Sequence, residues 1–196
     1  MYHELLKAYF NKIVRFTPNE SDAIVRYYQE KRVAKGEFIL RKNEVFRLEG
    51  YVVEGCFKVS IIDEKGNEKV LYFAARDWWV MDIDSFANQT ASSLNIQAIE
   101  DSTLLVISRD NKERLYNEVP KVERLFRIMY QRAVAAWQKR LIRNQTMNAE
   151  ERYQHFITIY PEITKQVTNK LIASYLGITQ EFLSMIRRRR SKKSTK

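Results

Sequence analysis

Thr168-Asn169-Lys170-Leu171-Ile172-Ala173-Ser174-Tyr175-Leu176-Gly177-Ile178-Thr179-Gln180-Glu181-Phe182-Leu183-Ser184-Met185-Ile186-Arg187-Arg188-Arg189 is the stretch on which the rest of the chain turns. Ala173 stands where two helices must approach closely, and Gly177 follows four residues later at a tight turn. Ile172, Leu176, Ile178, Leu183 and Ile186 then fall on the inward faces of both predicted helices. Thr168 and Thr179 precede those helices, where a side-chain oxygen can accept from an orphan backbone N–H. The second helix runs into Arg187 to Arg190 and then Lys192, Lys193 and Lys196, with no acidic residue after Glu181. This is the pattern of a DNA-binding helix-turn-helix whose end is suited to a polyanion. An ordinary helical hairpin with a solvated basic tail is the plainer alternative.

Charge is distributed to match. Of the net +10, residues 1–110 carry 15 Lys or Arg against 17 Asp or Glu, and residues 111–196 carry 19 against 7. A near-neutral front half is joined to a back half that can neutralise phosphates, although basic helices also suit membrane surfaces. The 45% apolar content is enough for real cores in 196 residues. Cys56 is the single cysteine, so one chain can form no internal disulfide and hold no cysteine-ligated iron–sulfur cluster. A reducing compartment is expected. Met1 to Phe16 has no long apolar core, and no stretch reaches the roughly 20 apolar residues of a membrane span, so a cytoplasmic protein without a membrane partner is expected.

Outward from the motif, Glu4 to Arg32 has helical spacing around a break at Thr17-Pro18. From Gly36 to Ile107 the texture becomes short β-prone runs: Glu37 to Leu40, Val45 to Val53, Phe57 to Ile62, Lys69 to Phe73, Leu94 to Ile99 and Thr103 to Ile107. Asp63-Glu64-Lys65-Gly66-Asn67 reads as a hairpin turn between two of them. Pro120 opens a long helix to Asn144, whose stripe of Val122, Leu125, Phe126, Met129, Ala133, Ala136, Trp137 and Leu141 buries one face. Asn144 to Asn148 reads as a hinge, and Ala149 to Ile163 as the first element of the DNA-binding part.

Short helices, a β barrel, a long helix and a helix-turn-helix in this order resemble the Crp/Fnr family of bacterial transcription regulators. The local marks are Lys35-Gly36-Glu37-Phe38, Val52-Val53-Glu54-Gly55-Cys56-Phe57-Lys58-Val59, Ala98-Ile99-Glu100-Asp101-Ser102 and Ile172 to Thr179, and Tyr160-Pro161-Glu162 resembles the branch common in Bacteroidetes. The resemblance implies an α+β fold. An N-terminal double-stranded β-helix (jelly roll) of the cyclic-nucleotide-binding type would span 1–119, a dimerisation helix 120–144, and a C-terminal winged helix-turn-helix-like domain 145–196. It implies a homodimer on double-stranded DNA, paired through Leu125, Met129, Ala133, Ala136 and Trp137. RNA polymerase and a small-molecule effector are its candidate further partners. On the second motif helix Gln180, Glu181, Ser184, Met185 and Arg188 would face bases, with Thr168, Asn169, Lys170, Thr179 and Arg187 beside phosphates.

The family's ligand site carries over poorly. Cyclic-nucleotide binders use a Gly-Glu-Leu stretch, whose Glu contacts the ribose, and an Arg that pairs with the phosphate; here Met81-Asp82-Ile83 falls on the first and Ser92 on the Arg. The cation is missing, and neither Ser92 nor Ser93 replaces its charge. Cyclic AMP control is therefore not expected. An effector pocket, if present, would involve Tyr72, Met81, Asp82, Ser92 and Ser93; Trp78, Trp79 and Phe86 either line it or form barrel core. Catalysis has little support: His3 and His155 lie in no metal spacing, Asp82 and Asp84 read as a polar strand edge, and no glycine-rich phosphate loop occurs. No metal or cofactor is expected. A basic RNA- or membrane-surface module is the remaining alternative.

Overall fold

The computed structural model describes residues 1–194, with side chains as far as Arg190. Lys196 lies outside the described residues, as do the side chains of Lys192 and Lys193. Two helices come first, α1 (Tyr2–Asn11) and α2 (Pro18–Arg26). The predicted break between them is a capping box: Thr17 Oγ1 accepts from Glu20 N at 3.2 Å, and the Glu20 carboxylate accepts from Thr17 N at 2.7 Å.

Eight strands follow: β1 (Gln29–Val33), β2 (Phe38–Leu40), β3 (Leu48–Glu54), β4 (Cys56–Ile62), β5 (Glu68–Ala75), β6 (Trp79–Val80), β7 (Asn95–Ala98) and β8 (Ser102–Ser108), with α3 (Ile83–Asn88) inserted before β7. They form two antiparallel four-stranded sheets in the orders β1-β8-β3-β6 and β2-β7-β4-β5, as expected of a jelly roll. The predicted helix to Arg32 is corrected: the helix stops at Arg26, and β1 pairs with β8 from Gln29↔Val106 to Val33↔Ser102. β1 is an edge strand whose Gln29-Glu30-Lys31-Arg32 run faces outward, so it carries no apolar alternation to betray it. β6 and α3 were not anticipated either. At the β3–β4 corner Gly55 has φ +88°, and a Cβ there would sit 2.1 Å from Ser102 Oγ, so this position excludes any side chain.

The helical remainder is α4 (Arg109–Glu118), α5 (Lys121–Thr146), α6 (Ala149–Ile159), α7 (Ile163–Gln166), α8 (Asn169–Leu176) and α9 (Gln180–Ser194). The expected hinge is tighter than predicted, because α5 continues to Thr146 and only Met147 and Asn148 separate it from α6. Tyr160-Pro161 ends α6 four residues earlier than expected, since proline cannot continue the helix. Among the described residues no strand follows β8, so the expected wing has no counterpart and the last part is all-helical. No helix among the described residues is long and apolar enough to cross a membrane.

Alternation along the strands sorts side chains into three cores. Val52, Phe57, Val59, Ala74, Leu104 and Val106 point between the sheets with Phe46 and Phe86. Tyr51, Val53, Leu105 and Ile107 point the other way, onto Leu6, Phe10, Ile24, Leu125, Phe126 and Met129 of the helices. Cys56, Val70 and Phe73 leave the second sheet on its outer side, where Phe156, Ile172, Leu176, Leu183 and Ile186 cover them.

A charged pair is buried inside this scaffold. The Lys112 ammonium on α4 donates to Glu49 Oε2 on β3 and, at 2.6 Å, to the Tyr130 hydroxyl on α5, which donates at 2.8 Å to Glu49 Oε1. Glu49 is 0% exposed and Lys112 4%. Lys112 also sits 3.9 Å from the Phe126 ring centroid. Burial pushes the ammonium below the usual lysine range, against the raising effect of the Glu49 carboxylate. A pair this deep is held by mutual satisfaction, and loss of one member strands the other. Lys112→Met is expected to lower stability by about 3–5 kcal/mol in urea unfolding. The double variant Glu49→Leu/Lys112→Met should recover most of that loss; equal loss in both would show that packing, not stranded charge, is responsible.

Candidate nucleic-acid interface and effector region

The residues of the motif build two helices whose starts and turn are locally determined. Thr168 caps α8 by accepting from Leu171 N at 3.4 Å, and Thr179 opens α9 by accepting from Phe182 N at 3.2 Å. Between them Gly177 has φ +68°, and a Cβ would meet nothing within 4 Å, so backbone conformation alone selects glycine there. Ile172, Ala173, Leu176, Leu183 and Ile186 are buried between α8, α9 and α6 as the spacing predicts.

The opposite side of α9 is open. Gln180, Glu181, Arg188 and Arg189 are exposed, Met185 is 38% exposed, and Ser184 is half-buried with its hydroxyl donating to Gln180 O at 3.0 Å. Thr168, Lys170 and Thr179 are exposed on the same pair of helices, and Asn169 is half-buried. Phe182, 40% exposed, also lies on this surface and was not singled out from the sequence, where an aromatic near a helix start reads as core.

Two of the expected phosphate contacts bond each other. Arg187 Nη1 donates to Asn169 Oδ1, and Arg187 Nε donates to the Tyr153 hydroxyl at 2.8 Å, so this arginine ties α9 to α8 and α6. Its position nearest the buried face of α9 favours that clamp. The basic run therefore divides: Arg187 is spent on the helix assembly, whereas Arg188, Arg189 and Arg190 reach solvent.

The β-roll positions considered for an effector are self-satisfied. Asp82 is the N-cap of α3, accepting from Ser85 N at 3.3 Å, and its other oxygen accepts from Ser92 Oγ at 2.5 Å. Ser92 Oγ accepts in turn from Leu94 N at 2.9 Å. Asp82 and Asp84 are thus cap and first turn of a helix, which corrects their reading as a strand edge. Tyr72 donates to Met81 O at 3.0 Å, and burial pushes its hydroxyl above the usual range. Ser93 is exposed. The aromatic set does not converge on a pocket: Trp79 packs in the helix-side core, Phe86 fills the roll, and Trp78 lies against Tyr160 at 5.3 Å between centroids. Cys56 is buried, and desolvation pushes its thiol up to about 12, which leaves it protonated and unreactive.

The long helix also divides. Leu125 and Met129, expected at a dimer contact, are sealed in the chain's own core at 0% and 7% exposure, because α1 and α2 fold over them. Ala133 is half-buried and Ala136 exposed. Trp137 is 43% exposed and meets the Tyr72 ring edge-on at 5.5 Å. The apolar side chains left to solvent are Val134, Trp137, Leu141 and Ile142, beside an open groove floored by Tyr116, Phe126 and Tyr130.

The helical part sits firmly on the roll. Ser174 of α8 donates to Glu68 O at 2.8 Å and accepts from Val70 N at 3.0 Å, completing the edge of β5. Phe73 meets Phe156 and Tyr175 at 6.2 and 5.8 Å.

Comparison with known proteins agrees with this architecture. Residues 30–119 match the family model of the cyclic nucleotide-binding domain. Three solved structures share the fold along most of the chain. The c-di-GMP responsive global regulator CLP of Xanthomonas campestris is 11% identical, with 91% of this chain and 93% of that one covered and a TM-score of 0.73. FixK2 of Bradyrhizobium japonicum is 18% identical, with 85% and 86% covered and a TM-score of 0.72. The catabolite activator protein of Thermus thermophilus is 17% identical, with 95% and 88% covered and a TM-score of 0.58. No curated protein sequence matches the chain.

Proposed function

Starting from a cyclic nucleotide-binding-type domain within the fold of these regulators, we propose that the chain is a sequence-specific DNA-binding transcription regulator of the Crp/Fnr type. It acts in the cytoplasm as a homodimer and reads a near-palindromic operator without control by cyclic AMP. In this reading 1–119 is a sensor-like roll, 120–144 the dimerisation helix and 145–196 the DNA-binding part. The observation that carries it is the exposed face of α9, where Gln180, Glu181, Met185 and Arg188 stand clear of the core, with Ser184 half-buried among them, on a helix capped and clamped from behind. Such a face suits the major groove: Gln bridges adenine, Glu accepts from a cytosine amino group, and Arg takes guanine or phosphate. Thr168, Lys170 and Thr179 flank it at helix starts, where phosphates are held.

The roll supports independence from cyclic AMP. The carboxylate of Asp82 is committed to a helix cap and to Ser92, and the resemblance lays Ser92 on the position where a binder carries a cation. A phosphate brought there would meet negative charge with no guanidinium to offset it. Calorimetric titration with cyclic AMP is expected to give a Kd no tighter than about 1 mM. Micromolar binding would overturn this part of the proposal.

Dimerisation is assigned to the solvent side of α5. Val134, Trp137 and Leu141 step by three and four residues along it, the spacing of a two-helix seam, and Val134 and Leu141 are 63% and 62% exposed. Val134→Glu/Leu141→Glu is expected to sediment as a folded monomer and to lose operator affinity by about a hundredfold, the avidity of the second half-site. A dimer of full affinity would move the interface elsewhere.

Selection of bound duplexes from a random pool tests the whole reading. A symmetric consensus with half-sites about 34 Å apart is expected. On that operator Glu181→Ala should relax preference at one base pair, whereas Lys170→Ala should weaken all duplexes alike and reduce the salt slope by about 1. Recovery without a consensus, or equal loss on specific and random DNA for both variants, would contradict it.

A further inference from the structure

Where the end of α5 meets α6 and the end of α8, three guanidinium groups and an imidazole line one small cleft: Arg140 and Arg143 from α5, Arg152 and His155 from α6. None of the three arginines has a carboxylate partner among the described residues. Part of the cluster has a structural purpose. Arg140 donates to Tyr175 O at 3.2 Å and lies 4.1 Å from the Tyr175 ring centroid. Arg152 donates to Met147 O at 2.7 Å and to Leu176 O at 3.3 Å, neutralising carbonyls at helix ends. That purpose leaves a remainder. Arg152 Nε is buried with no acceptor, and the Arg143 side chain makes no hydrogen bond or ion pair among the described residues although it lines the same cleft. Like charges gathered without a counterion repel, and burial adds to the cost.

We propose that this cleft is a binding site for a small phosphate-type anion, free or carried by a small molecule. The anion would accept from the Arg143 guanidinium, with Arg140 and Arg152 supplying positive charge and His155 a further donor. Asn144, also in the lining, offers an amide donor of the right kind. The cleft is small and partly open, so the outcomes of the experiment below separate a free anion from DNA phosphate. Because its walls come from the long helix on one side and from α6 and the end of α8 on the other, a bound anion would brace the two-residue joint at Met147 and Asn148. The site is separate from the roll positions around Asp82 and does not depend on the proposed DNA face.

His155 supplies a local readout. Burial and the neighbouring Arg143 charge hold its imidazole below the usual histidine range. It is one of only two histidines, so its ring resonances can be followed by NMR in the full chain. Titration with inorganic phosphate at constant ionic strength is expected to raise the His155 titration midpoint by about one pH unit. Arg143→Gln should abolish that shift and weaken phosphate binding by at least about tenfold in calorimetry. Arg188→Gln/Arg189→Gln, which removes exposed charges on α9, should leave both unchanged. Four results would each overturn the proposal: no phosphate effect, an equal effect of chloride, a shift that survives Arg143→Gln, or a shift lost only in the α9 variant. A fifth would be loss of random-duplex affinity in Arg143→Gln without loss of phosphate binding, which would assign the cleft to the DNA backbone.

Discussion

The central strands β3, β4 and β8 are buried on both faces for most of their length, and this constraint organises the molecule. A strand normally spends alternate side chains on water. Here β3 sends Tyr51 and Val53 to the helices and Val52 into the roll, and β4 sends Phe57 and Val59 inward while Cys56 goes to α6 and α8. The N-terminal helices, the front half of α5 and the helical C-terminal part are therefore lids on the same barrel. Removing any of them would expose a row of large apolar side chains, so the orientation of the last helices is fixed by the packing that stabilises the roll.

Charge follows the same economy. The one ion pair sealed in the roll's flank, Glu49 with Lys112, is completed by Tyr130 from α5 and so couples a strand, α4 and the long helix in one hydrogen-bonded group. The half-buried carboxylate of Asp82 is used as the cap of α3. The excess of positive charge is left at the back of the chain, partly on the open face of α9 and partly in the cleft beside Met147. These two basic regions differ in kind, because one is exposed and spread along a helix while the other lines a small cleft without carboxylate partners among the described residues.

How much of this was legible in the sequence depended on whether a residue's role was local. The break at Thr17-Pro18, the caps at Thr168 and Thr179, the turn at Gly177 and the six main strands follow from local chemistry, and the structure has them. β1 escaped because an edge strand with a charged outer face has neither alternation nor bulk. The wing was carried only by family resemblance, and no local signal supported it. On α5 the stripe from Val122 to Leu141 was continuous in sequence, yet its first half faces α1 and α2 and its second half faces solvent, since periodicity reports a buried face without saying what buries it. Arg187 looked like its neighbours in a run of four; only its angle on the helix, with Tyr153 and Asn169 in reach, separates a clamp from a free cation.

Helix α8 shows how the proposed function and the fold constrain each other. Thr168 and Lys170 at its start face outward beside the proposed DNA surface, while Ser174 and Tyr175, less than two turns later, complete the edge of β5 and pack on Phe73. One eight-residue helix is thus both part of the reading head and part of the roll's cover. A small rotation of α8 about its own axis cannot be made without breaking the two hydrogen bonds of Ser174 and the contacts of Tyr175, so the head moves with the roll or leaves it altogether. In a dimer built on the exposed side of α5, the separation and tilt of the two α9 helices would then be set by Phe73, Phe156 and Tyr175 as much as by the dimer seam.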